Sequence, residues 1–506
     1  MEGYIEENRE TEINPETGRM LEAEVISEAD LLREPEINPE SEKKRESGQN
    51  SEKKPDRKTE RRRKKEKKKQ INRERRNARV YDRSHEVRWE KLDNTAHLFP
   101  AIADTGMSNV YRIAVYLDED IIAEKLQEAL GIVLPKFSIF NCRLRQGMFW
   151  YYFEENGKEP PKVTEENTYP CRYIEENRNH NYLFRVTYYK KRINLEVFHV
   201  LTDGTGGLYF LKELTYQYLR LVHPGLREQY GDYLSSQTSL NTEDSYLQNF
   251  KKSRFTNSYK SGRSYILRGS FFPSGKVGII HGHMSLQEVK DRAKSCGATV
   301  NEYLVSMFIW SVYQTFLKGM PSKHPICVSM PVNLRPYFQS VTAKNFFVMV
   351  TASFLPKKEN QPFEDVLESV KTTLREQLTK EHLEEVLSYN VTGERTMILR
   401  TIPLVFKNPG MKGLYKMHAK ASAATVTNLG NIAVAPEYEA YIERFDVLLS
   451  RSAGQNTKMT LSTYRGVLSA TIVSALKATE QQRVFFRYLT SQGVSVSLDT
   501  NGVYYE

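Results

Sequence analysis

No stretch of this 506-residue chain reaches the roughly 18 uninterrupted apolar residues that a membrane helix requires, so no integral membrane segment is expected. The opening residues, MEGYIEENRE, lack a basic leader and an apolar segment behind it; that argues against a secretory signal and for the cytoplasm. Cysteine is scarce as well: Cys142, Cys171, Cys296 and Cys327 stand apart, without a CxxC pair. Four thiols in a chain of this length do not make a disulfide scaffold, and they read as reduced core residues. Length excludes a single ordinary core, because domains cluster near about 100 to 200 residues, and two folded lobes are expected.

What the chain has is aromatic mass and unevenly placed charge. Hydrophobic residues make up 39 %, with 30 Tyr and 23 Phe, enough to bury a core that offsets ordering entropy. The net charge of +10 is concentrated near the start: residues 1–42 carry 14 acids against 3 bases, and residues 43–79 carry 19 bases against 6 acids. Residues 1–83 hold almost no periodic apolar pattern and read as a disordered tail, acidic then basic, in which EINPE occurs at Glu12–Glu16 and again at Glu36–Glu40. Glu46, Glu52, Glu60 and Glu66 interrupt the basic half and no aromatic is interleaved, so sequence-specific nucleic-acid recognition is not expected. Charge-driven contact with an anionic partner, or a merely solvated tail, both remain open.

From about Val87 strands and amphipathic helices alternate. A strand is expected at Asn109–Asp118, a helix at 119–133 with Ile121, Ile122, Leu126, Ala129 and Leu130 inward, a strand at Met148–Glu154, and a hairpin of Tyr182–Tyr189 with Ile193–Val200 around Lys190–Arg192. A polar stretch at Ser235–Gly275 reads as the crossing between lobes. Beyond it come a strand at Gly275–Gly282, helices at Leu286–Ser295 and after Thr299, strands at Pro325–Val332, Phe346–Leu355, Ala424–Thr427, Ala440–Leu449 and Met459–Val473, and helical text at Phe363–Leu387. Thr299 is a plausible N-cap for a helix apolar nearly all round.

The chemistry concentrates at Ile193–Leu219, where a strand ends in His199 and a glycine-bearing turn feeds a helix. On period two, Ile193, Leu195, Val197 and His199 share a face. Apolar surroundings disfavour the imidazolium and keep a neutral ring available as a base. Gly204, Gly206 and Gly207 would leave room for a substrate beside the ring, while Asp203 turns inward to brace the loop. Other motifs carry less. GTGG matches neither a Walker loop nor GxGxxG; His281 and His283 have no third ligand nearby, so no metal is expected; and DTNG at Asp499–Gly502 reads as a turn.

His199, Val200, Leu201, Thr202, Asp203 and Gly204 form HxxxDG, and here the sequence resembles the CoA-dependent acyltransferases, the superfamily of chloramphenicol acetyltransferase, peptide-synthetase condensation domains, wax ester synthases and alcohol acetyltransferases. MPVNLRP at Met330–Pro336 is similar to the second-lobe strand whose Arg pairs with the motif Asp, which maps to Arg335 and Asp203. TVTNLGNI at Thr425–Ile432 is similar to the strand whose small polar residues line the channel, which points to Thr427, Asn428 and Gly430. With LDNTAHLFP, the likeness spans about 87–506 and is nearest the alcohol acetyltransferase branch; the DFGWG of the plant branch is missing.

The resemblance implies an α/β fold of two chloramphenicol-acetyltransferase-like lobes, each a mixed sheet with flanking helices, with a substrate channel between them. The expected division is 1–83 tail, 84–260 first lobe with HxxxDG, and 261–506 second lobe. It also implies acyl transfer from acetyl-CoA or another acyl-CoA as co-substrate, with no bound cofactor, to an alcohol or amine. His199 would be general base, and Asp203, Gly204 and Arg335 structural at the site. Two alternatives stay open: a silent acyltransferase-fold scaffold localised by its basic tail, and a condensation enzyme using carrier-bound thioesters.

Overall fold

The computed structural model describes residues 89–251, 262–273, 275–395 and 401–505. The expected tail at 1–83 and its EINPE pair lie outside the described residues. The first lobe is built around the strand Val110–Leu117, buried along nearly its whole length. It pairs antiparallel with Arg192–Phe198, which pairs with Phe184–Tyr189, and Thr164–Glu165 adds a parallel edge. The hairpin expected around Lys190–Arg192 is present, with Tyr189 opposite Arg192 and Lys190 at φ 48°. Helices Ala123–Val133 and Gly204–Val222 pack on each other, and the second lies on the strands Val110–Leu117 and Arg192–Phe198. Phe140 stacks on Phe210 at 4.0 Å, with Phe184 5.3 Å from each, and this aromatic cluster anchors the core beneath the motif. A separate three-stranded sheet orders Trp89–Lys91, Tyr151–Glu155 and Cys142–Gln146.

Seven strands make the second sheet, in the order Phe347–Phe354, Ile326–Asn333, Ala424–Asn431, Thr457–Tyr464, Val467–Ser474, Gly278–Ser285, Val496–Thr500. Ala424–Asn431 runs parallel to both neighbours and every other pairing is antiparallel, so this sheet too is mixed. Helix Val300–Phe316 is buried along most of its length, as its apolar text requires, and packs against Phe363–Gln377 and Glu480–Ser491. Its start is a capping box: Thr299 Oγ1 accepts from Glu302 N at 3.2 Å while Glu302 Oε2 accepts from Thr299 N at 2.7 Å.

Several elements differ from the sequence expectation. Met459–Val473 is two strands, because Arg465 (φ 46°) and Gly466 (φ 78°) form a two-residue reverse turn with Tyr464 opposite Val467. The helical text at Phe363–Leu387 divides into Phe363–Gln377 and Lys380–Arg395, since Thr379 Oγ1 accepts from His382 N and starts a new helix. Ile122 is exposed because it precedes its helix in extended conformation. Cys296 is exposed just past the helix Leu286–Ser295, whereas Cys142, Cys171 and Cys327 are buried. A helix at Leu404–His418, interrupted in text by Pro409 and two glycines, carried no expectation. Strand Ile442–Leu449 joins the first sheet, against Val110–Leu117, and its outer face meets Thr457–Tyr464 of the second. The crossing at 235–275 is pinned by Tyr246, whose buried hydroxyl donates to Phe347 O at 2.6 Å.

Among the described residues no helix is long and apolar enough to cross a membrane.

Candidate active site

Strand Arg192–Phe198, central in the first sheet, delivers His199 just past its C-terminal end, where its backbone N–H donates to Asn109 O at 3.0 Å. The ring is half-buried, stacked on Phe99 at 4.8 Å, edge-on to Tyr111 at 5.1 Å, and 5.7 Å from Phe347. Burial pushes its pKa below the ordinary 6.5, and the Lys458 charge adds to the lowering, so the neutral ring is favoured against the opposing pull of Asp203 and a hydrogen bond to Asn345.

That hydrogen bond decides the tautomer. Asn345 Oδ1 lies 3.0 Å from His199 Nδ1, and Asn345 Nδ2 lies 2.9 Å from Asp93 Oδ2 and 3.3 Å from His199 O. The His199 carbonyl can only accept, and Asp93 Oδ2 already accepts from Asn345 N, which sets the amide with its nitrogen toward them and its oxygen toward the imidazole. Nδ1 therefore carries the proton and Nε2 the lone pair. Asp93 is itself held by backbone N–H groups of Ala96 (2.8 Å) and Asn345 (3.3 Å), and burial lifts its pKa to about 7.

Asp203 points away from the ring. It caps helix Gly204–Val222 by accepting from Thr205 N (3.1 Å) and Gly206 N (3.3 Å), and it accepts from Phe346 N at 2.9 Å. Arg335 meets it through two bonds, Nη1 to Oδ2 at 2.8 Å and Nη2 to Oδ1 at 3.1 Å. Arg335 also donates to Thr342 O, Lys344 O and Asn333 Oδ1, so a second-lobe segment is knotted around one guanidinium. The motif carboxylate is thus a brace joining 203 to 335 and 346.

The glycines do something other than make room for substrate. A Cβ at Gly206 would come 2.0 Å from Thr202 Oγ1 and 2.1 Å from Ala343 O, and one at Gly207 would come 2.4 Å from the Tyr111 hydroxyl. Protein atoms fill both spaces. A Cβ at Gly204 would meet Leu429 Cδ1 at 2.9 Å, and this contact ties the motif to the strand Ala424–Asn431. On that strand Thr427, Asn428 and Gly430 are half-buried; Asn428 donates to Asn301 Oδ1 at 2.7 Å, and Gly430, at φ 79°, donates its N–H to Asn428 Oδ1 at 2.8 Å.

Four residues around the ring escaped the sequence reading: Asp93, Phe99, Tyr111 and Asn345. Their signals are weak but present, as LDNTAHLFP carries an acid and an aromatic in one short lead, and AKNFF sets a lone amide before a strand. His281 and His283 hydrogen-bond Thr471 Oγ1 (2.8 Å) and Ser469 Oγ (3.0 Å), and no cluster of three metal-ligating side chains occurs among the described residues.

No protein-family model matches the chain. Over 202 residues it is 26 % identical to a plipastatin synthase of Bacillus subtilis, a match covering 38 % of this chain and only 5 % of that protein. Among solved structures, TRI101 of F. graminearum complexed with Coenzyme A and T-2 mycotoxin superposes with a TM-score of 0.55 at 11 % identity, over 81 % of this chain and 99 % of that one. The first condensation domain of the CDA synthetase gives 0.51 at 13 %, over 80 % and 96 %. Polyketide synthase associated protein 5 from Mycobacterium tuberculosis gives 0.51 at 14 %, over 79 % and 96 %. The fold is therefore the two-lobed mixed α/β fold that these three structures share.

Proposed function

We propose that the protein is an acyltransferase in which His199 Nε2 takes the proton of an acceptor hydroxyl as its oxygen attacks the carbonyl of an acyl-CoA thioester, acetyl-CoA in the simplest case. The C–O bond forms, the C–S bond breaks, and the proton passes from Nε2 to the departing thiolate. The observation that carries this reading is the Asp93–Asn345–His199 chain, which leaves the lone pair on Nε2 of a half-buried, neutral ring. Asp203 and Arg335 brace the site, with Gly204 at the start of the motif helix. Thr427, Asn428 and Gly430 line the substrate channel. The lobes are assigned to 84–260 and 261–506, with strand Ile442–Leu449 of the second stretch completing the sheet of the first, behind a charged cytoplasmic tail at 1–83. The alcohol acetyltransferase branch remains part of this reading, and TRI101, solved with Coenzyme A and T-2, supplies the parallel for donor and acceptor.

The test is thiol release from acetyl-CoA with a panel of alcohols. His199→Ala should lower the rate by about 10²- to 10⁴-fold, and equal release by variant and parent would remove the assignment. A second reading, condensation on a carrier-bound thioester, is favoured by the likeness to the plipastatin synthase. Offering the same acyl group on a carrier pantetheine in a parallel arm separates the two donors.

A further inference from the structure

Helix Leu404–His418 turns one side to the protein and the other outward. Leu404 is buried, Asn408 donates to Tyr151 Oη at 2.7 Å, and Lys412 reaches Asp104 at 3.4 Å. At 100° per residue, Phe406, Gly410, Gly413, Leu414 and Met417 fall within one arc of roughly 100°. Along it Phe406 is 72 % exposed, Leu414 53 % and Met417 62 %; Val405, about 100° round the helix from Phe406, is 72 % exposed at the first turn. Met148, 69 % exposed, lies at the start of this helix, where its carbonyl accepts from Leu404 N at 2.9 Å. Three large apolar side chains on one arc, with Val405 and Met148 exposed at the start of the helix, are more than scattered surface hydrophobes.

The charge within the helix and its following turn has one sign, offset at Lys412 by Asp104. Residues 404–420 include Lys407, Lys412, Lys416, His418 and Lys420 and no acid. Lys416 and Lys420 are exposed, while Lys407 lies with its ammonium 3.8 Å from the Trp150 ring centroid. An occupant must therefore be apolar within and anionic at its rim. The outward arc carries no Tyr, Trp or Arg, the residues that anchor protein partners, and Phe, Leu and Met flanked by lysines are what an interfacial helix presents to a leaflet.

We propose that this helix, with Met148, docks the protein peripherally on a bilayer containing anionic phospholipid. The helix packs on the segment Phe99–Ile102, and the Phe99 ring stacks on His199. One intervening layer therefore separates the docking face from the candidate base. If the acyltransferase reading holds, that closeness makes a lipid-soluble alcohol the acceptor class; the docking itself does not depend on that reading.

The test uses the full chain in a C296S background, because Cys296 is the exposed thiol among the described cysteines. An environment-sensitive fluorophore is placed at F406C and mixed with vesicles of phosphatidylcholine alone or with phosphatidylserine. The charged tail could hold the chain near anionic vesicles without burying position 406, so the spectral shift, rather than flotation, decides. A blue shift with phosphatidylserine vesicles is expected, with apparent affinity reduced roughly 30-fold by K416E/K420E. In flotation, F406S/L414S/M417S should lower the bound fraction. No blue shift, an equal shift with neutral vesicles, or a shift that follows protein concentration without vesicles would overturn the proposal, the last in favour of self-association. Adding H199A to the labelled chain should leave the shift intact, so failure of the transferase reading and failure of docking are read separately.

Discussion

An imidazole serves as a base only when its lone pair sits on the nitrogen that faces the substrate, and for His199 a single amide settles this. Asn345 Oδ1 holds the proton on Nδ1, and Asp93 and the His199 carbonyl hold the amide in place. Burial and the Lys458 charge keep the His199 pKa below 6.5, so the base stays competent into mildly acid solution. The acid limb of kcat/KM should accordingly lie below pH 6.5. Asn345→Leu removes the acceptor and releases both tautomers, and turnover should fall roughly 10- to 100-fold. The Asn345 hydrogen bond is one of the influences that raise the His199 pKa, so losing it should move the acid limb to still lower pH. A pH–rate profile of parent and variant reads both effects, and a drop in turnover with an unmoved limb would assign Asn345 a packing role instead.

At the scale of elements, the HxxxDG turn is a joint between a strand, a helix and a second-lobe segment. Asp203→Ala removes two cap bonds, the bond from Phe346 N and both Arg335 bonds, leaving a buried guanidinium held by carbonyls and Asn333. The cost should be about 3 kcal/mol, the lower end for a broken buried pair, seen as a lower urea midpoint. Parent-like stability with lost turnover would instead make Asp203 a participant in the reaction. Gly206→Ala drives a Cβ into Ala343 O at 2.1 Å, a backbone atom, and should destabilise by about 3 kcal/mol without any change at the ring. Local rules made much of this level legible. The helix Leu286–Ser295 and the Thr299 cap were readable in the sequence, whereas the Ser285 cap of the former appears only in the structure. The motif glycines were misread because sequence shows where a side chain is missing and not which atoms occupy the space.

The whole molecule assembles the site from segments far apart in the chain, and here the sequence was least informative. The resemblance joined Arg335 to Asp203, yet the meeting of Asp93, His199 and Asn345 depends on how the 334–346 segment closes over the first lobe, which no local pattern encodes. The seam between the sheets is likewise unreadable in advance: Thr460 Oγ1 donates to Val447 O, Ser462 Oγ donates to Phe445 O at 3.2 Å, and Lys458 is buried with Nζ 2.5 Å from Ser452 Oγ. Burial lowers the Lys458 pKa from 10.5 to about 8. Between those values the unfolded chain binds the proton more than the folded one does, so this group's contribution to stability rises with pH from about 8 to 10.5 and is unfavourable below. Lys458→Met should raise stability at pH 7 by about 2 kcal/mol and abolish that rise, which melts at pH 7 and pH 9.5 will show. Because the Lys458 charge also depresses the His199 pKa across the seam, the same variant should shift the acid limb of kcat/KM upward, opposite to Asn345→Leu. Two substitutions on different strands displacing one titration in opposite directions would tie the seam to the ring; an unmoved limb in Lys458→Met would confine Lys458 to stability alone.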